Sequence, residues 1–139
     1  MSARNLYGMT GQPVTTLVTL ARSWNFPAGL KLSGDAFETI GFDKNQRAYV
    51  LHCKPATAPA ALTFTLAGSP QSPVLNPAFI VKNWGNTNAR LALDGKQIPQ
   101  GKDFRFGHRQ ELEGTDLIVW IIAESQTALT FRLEPQPMP

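Results

Sequence analysis

The sequence predicts an all-β protein, either an antiparallel β-sandwich or a closed barrel of about ten strands. Glycine and proline recur at short intervals along the 139 residues, which leaves room for strands of about five to eight residues but hardly for a helix of about three turns. The intervening runs are rich in valine, isoleucine, threonine, leucine and aromatic residues, which favour a pleated surface. No convincing helix is predicted.

The predicted strands are segments in which apolar and β-branched residues lie between glycines and prolines. In one of them Leu62, Phe64 and Leu66 alternate with threonines, as expected of a strand that has one face in water. The last segment repeats this alternation. In chain order the segments cover residues 14–22, 29–32, 37–42, 48–53, 61–66, 78–83, 89–93, 104–107, 116–123 and 128–133.

One segment differs from the others because it has no polar face. Residues 117–122 read Leu-Ile-Val-Trp-Ile-Ile. A strand that is apolar throughout is predicted to be central and covered on both faces, with Trp120 in the core. A second copy of the chain could supply the outer cover.

The connections between strands carry turn residues. Asp94 and Gly95 predict a type I′ hairpin turn, and a similar turn is predicted at residues 114–116. Residues 68–77 are predicted to be a short connector. The proline-rich tail, residues 134–139, is expected to be extended and loosely held because it has little to bury.

Two stretches of the chain follow a similar order. Residues 79–85, Phe-Ile-Val-Lys-Asn-Trp-Gly, have a weaker counterpart in residues 20–24, Leu-Ala-Arg-Ser-Trp. A Leu-x-Leu-x-Gly segment follows each, and residues 61–66 and 128–133 share the pattern Ala-Leu-Thr-Phe-x-Leu. This periodicity predicts two related halves, although chance similarity is an alternative because strands use few residue types. The predicted units are a single all-β domain of residues 1–139, with halves 14–67 and 78–134 and the connector 68–77.

Composition and charge exclude several partners. The net charge of +3 is small and the cations are scattered, so no nucleic-acid partner is predicted. No apolar run approaches the roughly 20 residues that cross a bilayer, so no membrane association is predicted. Cys53 is the single cysteine; it can form neither an intrachain disulfide nor a thiolate metal cage, and a buried, inert thiol is expected.

Catalytic chemistry finds little support in the sequence. The two histidines, His52 and His108, belong to no metalloprotease or nucleophile-elbow spacing. His52 is expected to be a satisfied structural histidine in an apolar strand. Carboxylates lie in polar, turn-like stretches, where solvated charges are expected. We therefore predict no enzyme, no catalytic residue, no metal site and no cofactor. The acids considered for glycosidic cleavage are Asp35, Glu38, Asp43, Glu111, Glu113 and Asp116.

Two tryptophans are candidate ligand-binding residues. Strand alternation places Lys82 on the same face as Trp84, and Arg22 on the same face as Trp24. An accessible indole beside a hydrogen-bonding cation suits a sugar ring, which stacks on the aromatic face while its hydroxyls meet the donor. Burial of both tryptophans as core residues, with the cation stems packed across them, is the alternative.

Arg105 and Arg109 are further candidates for ligand binding. A guanidinium binds a carboxylate or sulfate through two parallel hydrogen bonds, so these residues could recognise an acidic glycan. The alternative is that they form surface ion pairs with Asp103, Glu111 or Glu113.

Two parts of the chain resemble known modules. Residues 76–85, Asn-Pro-Ala-Phe-Ile-Val-Lys-Asn-Trp-Gly, together with residues 103–105 and 112–117, resemble β-sandwich modules found near the C-terminal end of large secreted bacterial proteins, some of which process polysaccharides. The resemblance is closest over residues 72–133. It implies a module without a catalytic set of its own, which binds glycan or braces a neighbouring catalytic domain.

We therefore predict a non-catalytic accessory module, carbohydrate-binding, within a larger bacterial protein. Its expected partners are a polysaccharide or a neighbouring catalytic domain. Residues 1–6 lack the apolar segment of a secretory signal, so a secreted or cell-surface location is expected only for an excised module. The alternative is a structural protein that self-assembles by pairing its apolar strand, residues 117–122, with another copy as a homo-oligomer.

Overall fold

A computed structural model describes residues 14–54 and 60–136 of the chain. They form two five-stranded sheets, a two-stranded ribbon and a helix. Buried side chains from both five-stranded sheets make one core, which confirms the predicted all-β sandwich; neither described sheet closes into a barrel. In chain order the elements are α1 (Val14–Asn25), β1 (Gly29–Ser33), β2 (Phe37–Asp43), β3 (Ala48–Cys53), β4 (Leu62–Ala67), β5 (Val74–Leu75), β6 (Ala78–Lys82), β7 (Asn88–Leu93), β8 (Lys96–Ile98), β9 (Phe104–Glu111), β10 (Gly114–Ile121), β11 (Glu124–Ser125) and β12 (Leu129–Gln136).

The strand order defines the two layers. Sheet one has the order β1-β4-β12-β7-β8, and sheet two has the order β2-β3-β6-β10-β9. All neighbours are antiparallel except β3 and β6, which run parallel. The ribbon pairs β5 with β11. The sandwich is therefore antiparallel, as predicted, apart from one parallel pair in sheet two.

Strands from the two predicted halves occupy corresponding places. β4 and β12 pair at the centre of sheet one, where Phe64 lies opposite Phe131 with stacked rings 5.1 Å apart. One pair further along, the hydroxyls of Thr65 and Thr130 lie 3.1 Å apart. In sheet two the β2–β3 hairpin and the β9–β10 hairpin flank β6. Duplication of an ancestral half stays a prediction.

The strand predicted over residues 14–22 is wrong, because these residues belong to helix α1. Threonine and valine favour a strand there, but Leu17, Leu20 and Trp24 recur at the intervals of three and four that place residues on one helical face. Pro27 follows the helix end and cannot continue it. Residues 20–24 are thus helical while their supposed counterpart begins as strand β6, so these two tryptophan-bearing segments do not correspond structurally.

The core is built on aromatic contacts between the sheets. Phe79 of sheet two lies 4.9 Å from Phe64 and 5.6 Å from Phe131, measured between ring centroids. Tyr49 stacks on Phe79 at 5.6 Å, and its hydroxyl donates to the carbonyl oxygen of Ala28 at 2.6 Å. Burial raises the pKa of Tyr49 to about 12. The predicted alternation in β4 is confirmed, since its three apolar side chains are buried.

The hairpin turns match the sequence only in part. Asp94 and Gly95 connect β7 to β8 with positive φ angles of 49° and 82°, as a type I′ turn requires. The turn predicted at residues 114–116 is wrong, because Leu112 and Glu113 form it. Gly114 is instead the first residue of β10.

The connector and the tail are more ordered than expected. The connector contains β5, whose Val74 is buried. Residues 134–136 of the predicted loose tail belong to β12 and pair with β7, where Gln136 lies opposite Asn88. The loose-tail prediction is therefore wrong for these residues, and residues 137–139 lie outside the described part of the chain.

Candidate functional site

The face of sheet two that points away from sheet one is the candidate functional surface, here called the outer face. Strand alternation puts buried residues such as Leu51, Val81 and Val119 into the core and turns their neighbours outward. The centre of the outer face is apolar and is made by three adjacent strands. Its members are Ala48 and Val50 from β3, Ala78 and Ile80 from β6, and Ile118 and Trp120 from β10.

Trp120 is the large aromatic residue of this face. Trp120 is 48% exposed, so the prediction that it lies in the core is wrong. It lies in register between Ala78 of β6 and Arg105 of β9. Its neighbour on β6 therefore has a small apolar side chain, and its neighbour on β9 has a guanidinium.

A groove of about 400 Å³ continues the outer face along the strands. Val50 and Ile80 line it, and both are largely buried. Ile40 forms part of one wall; it lies at the irregularity in β2 where the register with β3 shifts. Gln46, Lys82 and Arg109 add polar groups to the lining. The groove therefore combines an apolar floor with a polar rim.

A charged row crosses sheet two beside the groove. His52 Nδ1 lies 3.1 Å from Glu38 Oε1, so the imidazole has the polar partner expected of a structural histidine. Lys82 follows on β6, with Nζ 3.7 Å from Asp116 Oδ2, and Arg109 Nη2 lies 3.1 Å from the same oxygen. Asp116 is buried at the centre of this row, and two half-exposed cations neutralise its charge.

We expect Arg109→Met to lower the free energy of unfolding by about 2 kcal/mol, because the buried Asp116 keeps only the longer contact with Lys82. Chemical denaturation measures this loss. Arg132→Met is the matched control, since Arg132 pairs with Glu134 where both side chains are nearly half exposed, and its loss of stability should be clearly smaller because solvent screens such a pair. Equal losses in the two variants would contradict the role given to Asp116.

A second cleft, of about 270 Å³, lies at the other side of the charged row. It is lined mainly by polar residues, among them Asn83, Glu111 and Glu113. Glu111 Oε1 accepts from Arg109 Nε at 2.8 Å. No group of three or more histidine, cysteine, aspartate or glutamate side chains within residues 14–54 and 60–136 is arranged to hold a metal ion.

Trp84 does not offer the accessible indole expected from the sequence, because it is 1% exposed and lies in the core. Its Nε1 donates to the carbonyl oxygen of Thr87 at 3.0 Å. Strand β6 ends at Lys82, and Asn83 has a φ of 59°. This left-handed residue breaks the strand alternation, so Lys82 points outward while Trp84 enters the core.

Trp24 and Arg22 lie on helix α1, apart from the outer face. Arg47 Cζ lies 3.7 Å from the centroid of the Trp24 ring, close enough for a cation–π contact. The Arg22 guanidinium donates from Nη1 to the carbonyl oxygen of Pro70 at 3.3 Å. The expected pairing of Trp24 with Arg22 on one strand face is therefore wrong, and each residue has another contact.

Three of the predicted ligand-binding residues do share the outer face, namely Lys82, Arg105 and Arg109. Arg109 forms the expected ion pair with Glu111, whereas the described residues contain no ion pair between Arg105 and Asp103. Trp120 is the residue that sequence reasoning missed. The sequence contains one indirect indication of its role. A strand with two apolar faces needs a covering layer on each side, so the face that the core does not cover is a candidate binding surface.

Comparison with known proteins found no matching family model, no similar curated protein and no similar solved structure. Within residues 14–54 and 60–136, no helix has both the length and the apolar character required to span a bilayer.

Proposed function

We propose that this protein is a non-catalytic accessory module of a larger bacterial protein and that it binds carbohydrate through the outer face. The observation that carries the proposal is the half-exposed indole of Trp120 in register with the exposed Arg105. An indole provides a flat apolar surface for the C–H face of a sugar ring, and a neighbouring guanidinium provides donors for its oxygens.

The shape of the outer face suits an extended chain of sugars. The Val50–Ile80 floor of the groove lies two residues along the strands from the level of Trp120 and Ala78, which corresponds to roughly 7 Å. One ring would stack on Trp120, and the next would lie over the apolar floor with Lys82 and Arg109 at its rim.

The carboxylates beside the outer face are consistent with binding rather than hydrolysis. Asp116 contacts Lys82 and Arg109, and Glu111 contacts Arg109. A glycosidase needs two carboxyl groups that reach the scissile bond, whereas these two are held by cations of the sheet.

We expect Trp120→Ala to weaken polysaccharide binding by about thirtyfold, which corresponds to roughly 2 kcal/mol for an aromatic residue that dominates a binding surface. Native affinity electrophoresis in gels that contain soluble polysaccharides measures the loss, and circular dichroism verifies that the fold is kept. Phe26→Ala is the matched control, because Phe26 is 62% exposed and follows helix α1. If Trp120→Ala and the wild type migrate alike in every gel that retards the wild type, the outer face is not the binding site.

Self-association through the same face is the second candidate function. The exposed apolar side chains of Ile40, Trp120 and Ile122 favour it. Strand pairing through β10 itself is not open to a second copy, because β6 and β9 already occupy both of its edges. Sedimentation velocity separates the two candidates: a dimer that dissociates in Trp120→Ala, together with no affinity for any polysaccharide, would favour self-association.

A further inference from the structure

We infer that the carbohydrate bound at Trp120 is anionic and that Arg105 binds its carboxylate or sulfate group. This inference rests on the proposed function and adds the chemical class of the ligand. It follows from the difference between Arg105 and the other cations of the outer face.

The charges of Lys82 and Arg109 are already neutralised within the sheet. Both contact the buried carboxylate of Asp116, and Arg109 also pairs with Glu111. Arg105 is exposed and makes no ion pair or side-chain hydrogen bond with any residue of 14–54 or 60–136. Among the described residues of the outer face, Arg105 is therefore a cation whose guanidinium donors are not engaged by another side chain.

The position of Arg105 fits an anionic substituent on a stacked sugar. Arg105 and Trp120 are directly opposite each other on neighbouring antiparallel strands, where side-chain Cβ atoms lie about 5 Å apart. The guanidinium does not stack on this indole; within the described residues the cation–π contact joins Arg47 and Trp24. A ring on the indole would thus place a substituent at its edge within reach of the guanidinium.

The chemistry of the guanidinium favours an anion over a neutral hydroxyl. A planar fork of N–H donors matches the two oxygens of a carboxylate or sulfate, and charge assistance makes such bonds about twice as strong as neutral ones. An acidic sugar therefore uses both residues, whereas a neutral sugar uses mainly the indole.

The test is native affinity electrophoresis with matched pairs of polysaccharides: dextran sulfate against dextran, and polygalacturonate against its carboxyl-reduced form. We expect retardation by at least one anionic member and weak or no retardation by its neutral partner. Arg105→Gln should weaken that binding about tenfold or more, as loss of a charged hydrogen bond does. Lys96→Gln, on the exposed edge strand β8 of sheet one, removes the same charge elsewhere and should leave binding nearly unchanged.

Each other outcome overturns a defined part of the proposal. Equal retardation by the neutral partners, unaffected by Arg105→Gln, would exclude an anionic ligand but leave carbohydrate binding at Trp120 in place. Equal weakening by Arg105→Gln and Lys96→Gln would mean general attraction to a cationic protein rather than a site. Absence of retardation by all four polysaccharides, in the wild type and in Trp120→Ala alike, would overturn both this inference and the proposed function.

Discussion

Trp84→Ala is expected to lower the free energy of unfolding by about 3–5 kcal/mol, the range for removing a large aromatic side chain from a core. Trp84 is fully buried, and its ring centroid lies 6.4 Å from that of Phe37. Alanine would leave a cavity that neighbouring strands cannot close without losing their pairing. It would also remove the indole donor from Thr87 O, which then keeps only the bond from His108 Nε2 at 2.7 Å.

The half-exposed Trp120 provides the control for this experiment. Trp120→Ala is the same substitution at a half-exposed site and should cost about 2 kcal/mol or less, because only about half of the side-chain area is buried and no enclosed cavity is left. Urea denaturation of the two variants and the wild type gives both values. If Trp84→Ala were as stable as Trp120→Ala, the assignment of Trp84 to the core would be wrong.

Gly68→Ala should destabilise the protein by about 3 kcal/mol, at the upper end of the range for overpacking. A Cβ atom at residue 68 would lie 2.4 Å from the carbonyl oxygen of Thr127 and 3.2 Å from Val74 Cγ2. The oxygen cannot simply move away, because Ser125 Oγ donates to it at 2.9 Å and also accepts from Thr127 N. Relief of the clash requires a backbone shift in the loop that precedes β12.

Gly29→Ala is the matched control for Gly68→Ala. A Cβ atom at residue 29 meets nothing within 4 Å, so the substitution should change stability by less than about 1 kcal/mol and can stabilise slightly by restricting the unfolded chain. Thermal unfolding of both variants compares them directly. Similar midpoints would refute the close approach between residue 68 and the Thr127 loop.

Strands could be predicted where polar and apolar side chains alternate, so that one face of the strand is polar. β4 and β12 are examples, because their threonines and leucines report opposite environments. Helix α1 was missed because residues 14–22 contain both β-branched residues and a helical spacing of apolar ones, and local preference does not decide between them. The strands β5 and β11 have two residues each, which is too few to show an alternation of polar and apolar side chains.

The candidate site was harder to predict than the fold, for two physical reasons. Strand alternation places Trp84 on the wrong face because Asn83 has a left-handed φ, which ends the alternation before Trp84. The residues before Asn83 contain no turn signal that predicts this change. In β10 both faces are apolar, so alternation separates Trp120 from Val119 without showing which of them is buried. That distinction depends on which sheet surface meets the second layer, and only the packed structure determines it.

The position of β12 has a consequence for biosynthesis. This strand lies between β4 and β7, and its Leu133 is opposite both Leu62 and Leu91. About sixty residues separate β4 from β12, and about thirty-five separate β7 from β12. Both strands therefore emerge from the ribosome before the strand that joins them, and their inner edges remain open to other nascent chains. Sheet one can therefore close only after β12 has left the exit tunnel, so the joining of β4 to β7 through β12 is expected to be a late step in folding.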